Sequence, residues 1–165
     1  MWFNLTILVS IILTSTIGAL ISAKGVNSWY KTLSLPSWTP SGTVIGIVWT
    51  IIFLMLAAAM LIVSPIIRQL DTSNTLLLVI FYLSCLLNIY WCFLFFASHK
   101  MILAIYESVL LSLSVLCLAI LLYPVSAESS FLLLPYFFWV CFATKLSYSV
   151  WELNPWTFSN CWLYS

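Results

Sequence analysis

Three polar residues interrupt long apolar stretches of this sequence and could carry chemistry there: Asn88, Glu107 and Lys145. A charge near the middle of a membrane-spanning helix costs about 2.5 to 3.5 kcal/mol, so such a side chain normally faces the protein interior, water or a partner. At the rise of an α-helix, Glu107 and Lys145 lie about 9 and 12 Å from the ends of their stretches on one side of the membrane. We therefore predict an ion pair between them; the alternative is that Lys145 extends toward the lipid headgroups.

Aromatic residues accompany these polar residues at helical spacing. Trp49 and Phe53 are one turn apart, and Trp139 lies at a similar depth in a later segment. Asn88 and Trp91 share one face of a helix because they are three residues apart. Such a set could line a cavity in which a flat aromatic ligand stacks on the indoles and Asn88 supplies a hydrogen bond. The alternative is that the aromatic stripe is ordinary core packing.

The sequence contains no conventional catalytic or metal-binding set. Its five cysteines are Cys85, Cys92, Cys117, Cys141 and Cys161. They lie mostly in apolar segments and show no CxxC spacing, which predicts neither a metal site nor a disulfide framework. The single histidine, His99, lies at an expected loop, where it is either solvated or a ligand for haem iron. Without paired carboxylates or an activated nucleophile, we expect no hydrolytic or metal-dependent mechanism.

The composition places the chain in a membrane. Of 165 residues, 64% are hydrophobic and 5% are charged, about a fifth of the charged fraction of an ordinary soluble domain. The formal net charge of +1 gives no reason to expect a nucleic-acid partner. The N-terminal segment lacks the positive region and cleavage site of a signal peptide, so we interpret it as a spanning helix.

Five segments are long enough to span a bilayer, which requires about 20 mostly apolar residues. They cover residues 3–23, 43–64, 75–97, 101–123 and 131–153. Pro65 is expected to end the second helix, and Pro124 with the polar residues after it to end the fourth. Short connections make successive helices antiparallel neighbours. We predict an all-α integral membrane bundle of five helices that forms a single domain over residues 1–165.

The first loop, which joins the first two spans over residues 24–42, differs from the other connections. Pro36 and Pro40 prevent residues 31–41 from forming one continuous helix. The tryptophans and the tyrosine of this loop can bury large rings while keeping a polar edge in contact with water. We predict a structured first loop that caps a pocket; the alternative is an aromatic belt that anchors the chain among the headgroups.

The basic residues of the short loops predict the orientation. Lys24, Lys31 and Lys100 fall on one side of the membrane and Arg68 on the other. Because lysine and arginine are retained on the cytoplasmic side, we expect the N-terminus outside and the C-terminus inside. Small residues that allow close packing of helices also recur, among them the Gly42–Gly46 pair. These could pack helices within the chain or mediate a dimer.

The motifs together resemble one known family. The run WYKTLSLPSWTPSGTVIGIVWT, residues 29–50, resembles the signature of the TspO/MBR family of tryptophan-rich sensory and translocator proteins, in which a WY pair precedes P-x-W-x-P and a tryptophan of the second helix. Further matching pieces follow in the same order: Asn88 and Trp91 with Phe95 and Phe96, Ala104, the run LPYFFWVCFAT and a closing W-x-L-N-P. The resemblance covers nearly the whole chain.

This resemblance implies five transmembrane helices, a long first loop folded over a pocket and often a homodimer. Members bind porphyrins such as protoporphyrin IX and haem, and the animal proteins bind cholesterol and benzodiazepine-type drugs. Carried over by position, the implied ligand-binding residues are Tyr30, Pro40, Ile45, Trp49, Phe53, Asn88, Trp91, Cys92, Ser108, Trp139, Ala143 and Leu146. In some bacterial members the tryptophans matching Trp49 and Trp139 are linked to porphyrin breakdown that depends on light and oxygen.

The sequence also departs from the family pattern. Ser41 replaces a second proline of the loop, and Lys145 and Ser147 replace the usual tyrosine and asparagine of a Y-L-N segment. Lys145 could attract a porphyrin propionate, in competition with Glu107. No lysine or arginine follows Tyr148 within five residues, so the family's cholesterol motif is not supported.

Three functions are therefore open. The first is a tetrapyrrole-binding translocator or sensory protein that accepts other flat lipophilic ligands, including benzodiazepine-type compounds, and regulates porphyrin levels or a stress response. The second is an enzyme that degrades porphyrin by means of Trp49 and Trp139, and the third is a porphyrin or sterol transporter. We expect no required cofactor, since porphyrin or haem would be the ligand. The expected partners are lipids and a second copy of the chain. We expect a bacterial cytoplasmic membrane, with the mitochondrial outer membrane as the alternative.

Overall fold

The computed structural model describes residues 2–68 and 72–155, and within these ranges it contains helices and no strand. The five long helices are α1 (Trp2–Asn27), α2 (Gly42–Ile67), α3 (Thr72–Cys92), α4 (Met101–Leu122) and α5 (Ala127–Leu153). A 3-10 turn at Trp29–Thr32 follows α1, and a π-helical turn at Phe93–Ala97 extends α3. Five helical segments are long and apolar enough to cross a membrane. The predicted all-α fold with five spans is therefore confirmed.

Proline does not end α2 where the sequence predicted. The helix continues through Pro65 to Ile67, so the predicted end at Ser64 is wrong. Pro65 has no N–H to offer the carbonyl of Leu61, four residues earlier. The hydroxyl of Ser64 donates to that carbonyl at 3.0 Å instead. A side chain thus replaces the missing backbone donor, and the helix tolerates the proline.

The fifth helix begins four residues earlier than predicted. The Ser126 side chain accepts a hydrogen bond from the Ser129 N–H at 3.2 Å and caps α5. Serine is a favoured N-cap because its oxygen satisfies a backbone donor that the first turn leaves unpaired. The polar residues that were expected to form a loop after the fourth span are therefore the first turn of α5.

The first helix extends to Asn27, beyond its predicted end at Ala23. Its last turns pack against the π-helical turn, and Gly25 is the point of closest approach. A Cβ atom at Gly25 would lie 2.7 Å from Cβ and 2.8 Å from the carbonyl oxygen of Phe96. Packing therefore keeps a residue of low helix propensity inside the helix. The first loop is correspondingly shorter than predicted and covers residues 28–41.

The five helices form a closed ring. α4 packs against α3 and α5, α2 packs against α1 and α5, and α1 packs against α3. The sequential pair α2 and α3 is not a neighbouring pair in this ring, contrary to the expectation for short connections. Large apolar side chains, among them Met60, Phe81 and Leu118, fill the ring at the end away from the first loop. At that end, Arg68 also donates a hydrogen bond to Asn4 and joins α2 to α1.

The close approach at Gly25 gives a prediction about stability. Gly25→Ala should destabilise the protein by about 1 to 3 kcal/mol through overpacking, because the obstructing Phe96 atoms include backbone. Thermal unfolding in detergent micelles measures this change. Gly46→Ala is the control, since no atom of the described residues lies within 4 Å of a Cβ placed at Gly46. Equal stability of the two variants would contradict the tight packing of α1 on the π-helical turn.

Candidate functional site

A cavity of about 1170 Å³ occupies the end of the ring next to the first loop. Its walls come from α1, α2, α5, the C-terminal end of α3 and the π-helical turn, so α2 and α3 face each other across it. The first loop adds Leu35, Pro36, Thr39, Pro40 and Ser41 to the lining. Pockets for small ligands commonly enclose about 300 to 1,000 Å³. This cavity is therefore large enough for a ligand with a broad flat ring system.

Eleven of the twelve residues that the resemblance implied come together in the lining of this cavity. They are Tyr30, Pro40, Ile45, Trp49, Phe53, Asn88, Trp91, Cys92, Trp139, Ala143 and Leu146. Ser108 lies instead beside a separate gap of about 10 Å³, which is close to the space of one water molecule. Its hydroxyl donates to the Ile105 carbonyl at 2.8 Å and lies 2.9 Å from the Thr144 hydroxyl. Ser108 thus takes part in the packing of α4 on α5.

Neighbouring aromatic rings hold the two key indoles of the lining. Trp49 stacks on Phe53 with a centroid distance of 5.7 Å and meets the edge of Tyr136 at 6.0 Å. Trp139 stacks on Phe142 at 5.1 Å. Aromatic pairs in these geometries contribute about 0.5 to 1.5 kcal/mol beyond the burial of area. These contacts therefore fix the orientation of the Trp49 and Trp139 rings.

Of three polar side chains in the lining, Asn88 is hydrogen-bonded and Trp91 and Trp139 are not. The Asn88 amide is buried and donates to the Tyr136 hydroxyl at 3.2 Å. The indole nitrogens of Trp91 and Trp139 are buried and have no hydrogen-bond partner among the described residues. An unpaired buried donor is costly. Both N–H groups are enclosed by surrounding atoms and do not open onto the cavity.

The structure does not form the predicted ion pair between Glu107 and Lys145. Glu107 is 5% exposed, and neither of its carboxylate oxygens has a hydrogen-bond partner within residues 2–68 and 72–155. Lys145 is exposed on the outer surface of α5. Matching depth placed both residues at a similar level, but depth says nothing about rotation around each helix axis. Neither side chain lines the cavity, so Lys145 is not positioned to meet a ligand there.

His99 is exposed, as one of the two expectations required, and it also has a defined packing partner. Its ring stacks on Trp29 at 4.1 Å with an interplanar angle of 21°. Its backbone φ of 55° lies in the left-handed region. His99 does not line the cavity, so the structure gives no support to haem ligation by this residue. Among the cysteines, Cys161 lies outside the described residues, and Cys85, Cys92, Cys117 and Cys141 are free thiols.

Two features of the site were missed from the sequence. One face of α1 lines the cavity, including Gly18, Ser22 and Val26, and the four-residue spacing of these residues was the available signal. Asn154, one residue beyond the predicted end of the fifth span, bonds through its side chain to the backbone of Ser34 in the first loop. Because Asn154 and Ser34 are 120 residues apart, no local sequence pattern predicts this contact.

Comparison with known proteins gives one consistent result. Residues 6–152 match the TspO/MBR family. The chain is 34% identical to the protein named uncharacterized membrane protein YtaB of Bacillus subtilis over 144 aligned residues; the alignment covers 82% of this chain and 90% of that protein. It is 31% identical to the tryptophan-rich protein TspO of Bacillus cereus over 127 aligned residues, which are 77% of this chain and 81% of that protein. It is 27% identical over 146 residues to the translocator protein of Homo sapiens, covering 86% of each.

The isolated carboxylate gives a prediction that separates the structure from the expected ion pair. Glu107→Gln should leave the melting temperature in detergent unchanged or raise it, because the carboxyl has no hydrogen-bond or ionic partner among the described residues that the substitution would remove. Breaking a buried ion pair would instead cost about 3 to 5 kcal/mol. Glu128→Gln, at the exposed first turn of α5, serves as the matched control and should change stability little. A large loss of stability in Glu107→Gln alone would show that the carboxylate has a partner.

Proposed function

The chain belongs to the TspO/MBR family of membrane proteins, and we propose that it is an integral membrane receptor for tetrapyrroles. Protoporphyrin IX and haem are the proposed ligands, and other flat lipophilic molecules, including benzodiazepine-type compounds, are accepted by the same site. The observation that carries this proposal is that Trp49, Trp91 and Trp139, from three different helices, line one cavity. The matching depths of these residues in their helices predict this convergence.

The chemistry of the lining suits a flat ring with polar substituents. The indoles and Phe53 offer faces on which an extended aromatic ligand stacks. The rings of Trp91 and Trp139 add to this apolar surface. Asn88 presents its amide at the same wall, held by Tyr136. Sparse polar groups in an otherwise apolar cavity are the usual composition of a small-molecule site.

The biological role follows the same proposal. Relatives of this chain carry the names tryptophan-rich protein TspO and translocator protein. We propose that tetrapyrrole binding is read out as control of porphyrin levels or of a stress response, by a homodimer surrounded by lipid. The proposed location is a bacterial cytoplasmic membrane with the C-terminus inside. The mitochondrial outer membrane remains the alternative.

A second proposal is catalytic. Trp49 and Trp139 line the same cavity, so one bound porphyrin could contact both indoles. Light-excited porphyrin can exchange electrons with an indole in the presence of oxygen. The convergence of these two indoles on one cavity is the observation that favours porphyrin degradation. The two tryptophans would then be the catalytic residues.

Binding is tested by fluorescence. Protoporphyrin IX should quench tryptophan emission of the protein in nanodiscs, and Trp49→Phe or Trp139→Phe should weaken the apparent affinity about two- to tenfold through the loss of indole stacking area. Trp2→Phe is the matched control, because Trp2 is 74% exposed at the opposite end of α1. Unchanged affinity in both cavity variants would rule out this cavity as the site.

Degradation is tested by illumination. In oxygenated buffer under visible light, the protoporphyrin absorption bands should decay and a product spectrum should appear with the native protein. Trp139→Phe should abolish the product while retaining part of the binding, and Trp2→Phe should behave like the native protein. A product that forms at the same rate in Trp139→Phe would exclude the catalytic role of this indole.

A further inference from the structure

The Asn154 side chain fastens the first loop to the C-terminal end of α5. Its Oδ1 accepts from the Ser34 N–H at 2.9 Å, and its Nδ2 donates to the Ser34 carbonyl at 2.9 Å. Nδ2 also donates to the Val150 carbonyl at 2.6 Å. The side chain is 8% exposed. One acceptor and two donors are thus committed, a set that an amide provides and a carboxylate does not.

This contact lies at the point where the first loop meets the cavity. Leu33, immediately before Ser34, is buried in a cluster with Val150 of α5. Leu35 and Pro36, immediately after it, line the cavity. The hydrogen bonds at Ser34 therefore hold the loop between a residue that packs in the core and two residues that form the cavity wall.

The loop has a second, weaker attachment to the same helix. Trp38 meets the edge of Phe142 at 5.8 Å, and Phe142 stacks on Trp139. Phe142 and Asn154 are about 18 Å apart along α5 at the rise of an α-helix. The backbone hydrogen bonds of the loop itself are local, from Leu33 to Tyr30 and from Thr39 to Pro36. The two hydrogen bonds between Asn154 and Ser34 are thus a polar attachment of the loop to α5, and Trp38 is an exposed aromatic contact.

We propose that Asn154 is a positioning residue that keeps the first loop closed over the cavity and thereby sets how long a ligand stays bound. This inference rests on the proposed function, because it concerns the ligand of the same cavity. Opening the loop at Ser34 breaks two hydrogen bonds to the buried Asn154 side chain, whose amide must then find new partners. In this proposal the ligand enters and leaves past the opened loop. Loss of the contact therefore accelerates both steps and changes the equilibrium affinity less than either rate.

The test measures ligand kinetics. Stopped-flow quenching by protoporphyrin IX, in nanodiscs, compares the native chain with Asn154→Asp and Asn154→Ala. We expect dissociation at least tenfold faster in both variants and a faster association. Ser126→Ala is the matched control, because it removes a cap from the other end of α5. It should lower the melting temperature but leave both rates within twofold of the native values.

A ligand-independent measurement separates this inference from the proposed function. Hydrogen exchange followed by mass spectrometry should show slow exchange of the Ser34 amide in the native chain and fast exchange in Asn154→Ala. Unchanged exchange, or faster exchange with unchanged porphyrin dissociation, would overturn the role of Asn154. If Ser126→Ala accelerates porphyrin association and dissociation as much as the Asn154 variants do, the effect comes from a less stable α5, and the positioning role of Asn154 is overturned. If protoporphyrin fails to bind the native chain, the proposed function falls, and the exchange result alone decides whether Asn154 holds the loop.

Discussion

Inside a bilayer, each backbone polar group has to find its partner within the protein, because the hydrocarbon offers none. The whole architecture of this chain depends on that requirement. It makes the spans helical, and it explains why side chains intervene wherever the helical pattern fails. Ser64 replaces the donor that Pro65 lacks, and Ser126 satisfies the start of α5. Asn154 does the same for the first loop, where Ser34 has no helix of its own to bond to.

The number of spans could be read from the sequence, because hydropathy measures compatibility with lipid directly. The ends of the helices could not. They depend on single hydrogen bonds, as at Ser64 and Ser126, and on packing, as at Gly25 against Phe96. None of these contacts changes the hydropathy of a segment. The order of the helices around the ring could not be predicted from the lengths of the connections either, because α2 and α3 are joined by a short connection but face each other across the cavity.

The residues of the site were recovered in part for a physical reason. Trp49, Asn88, Trp91 and Trp139 share a depth in the membrane, and depth follows from counting residues along a helix. The resemblance added Tyr30, Pro40, Ile45, Cys92 and Leu146 to the predicted lining. Matching depth failed for Glu107 and Lys145 because contact also requires that two helices turn the correct faces toward each other. The contribution of α1 was missed because its small residues, such as Gly18 and Ser22, resemble those of any packing face.

The uneven filling of the ring has a mechanical consequence. At the end where Met60, Phe81 and Leu118 interdigitate, close packing leaves little room for displacement. At the other end the same helices surround the cavity, and a smaller buried cluster that includes Phe95, Met101 and Val150 packs beside it. If a ligand binds as proposed, the side-chain adjustments that it requires would therefore be confined to the cavity end. Ligands of different thickness could then be bound without repacking the filled end.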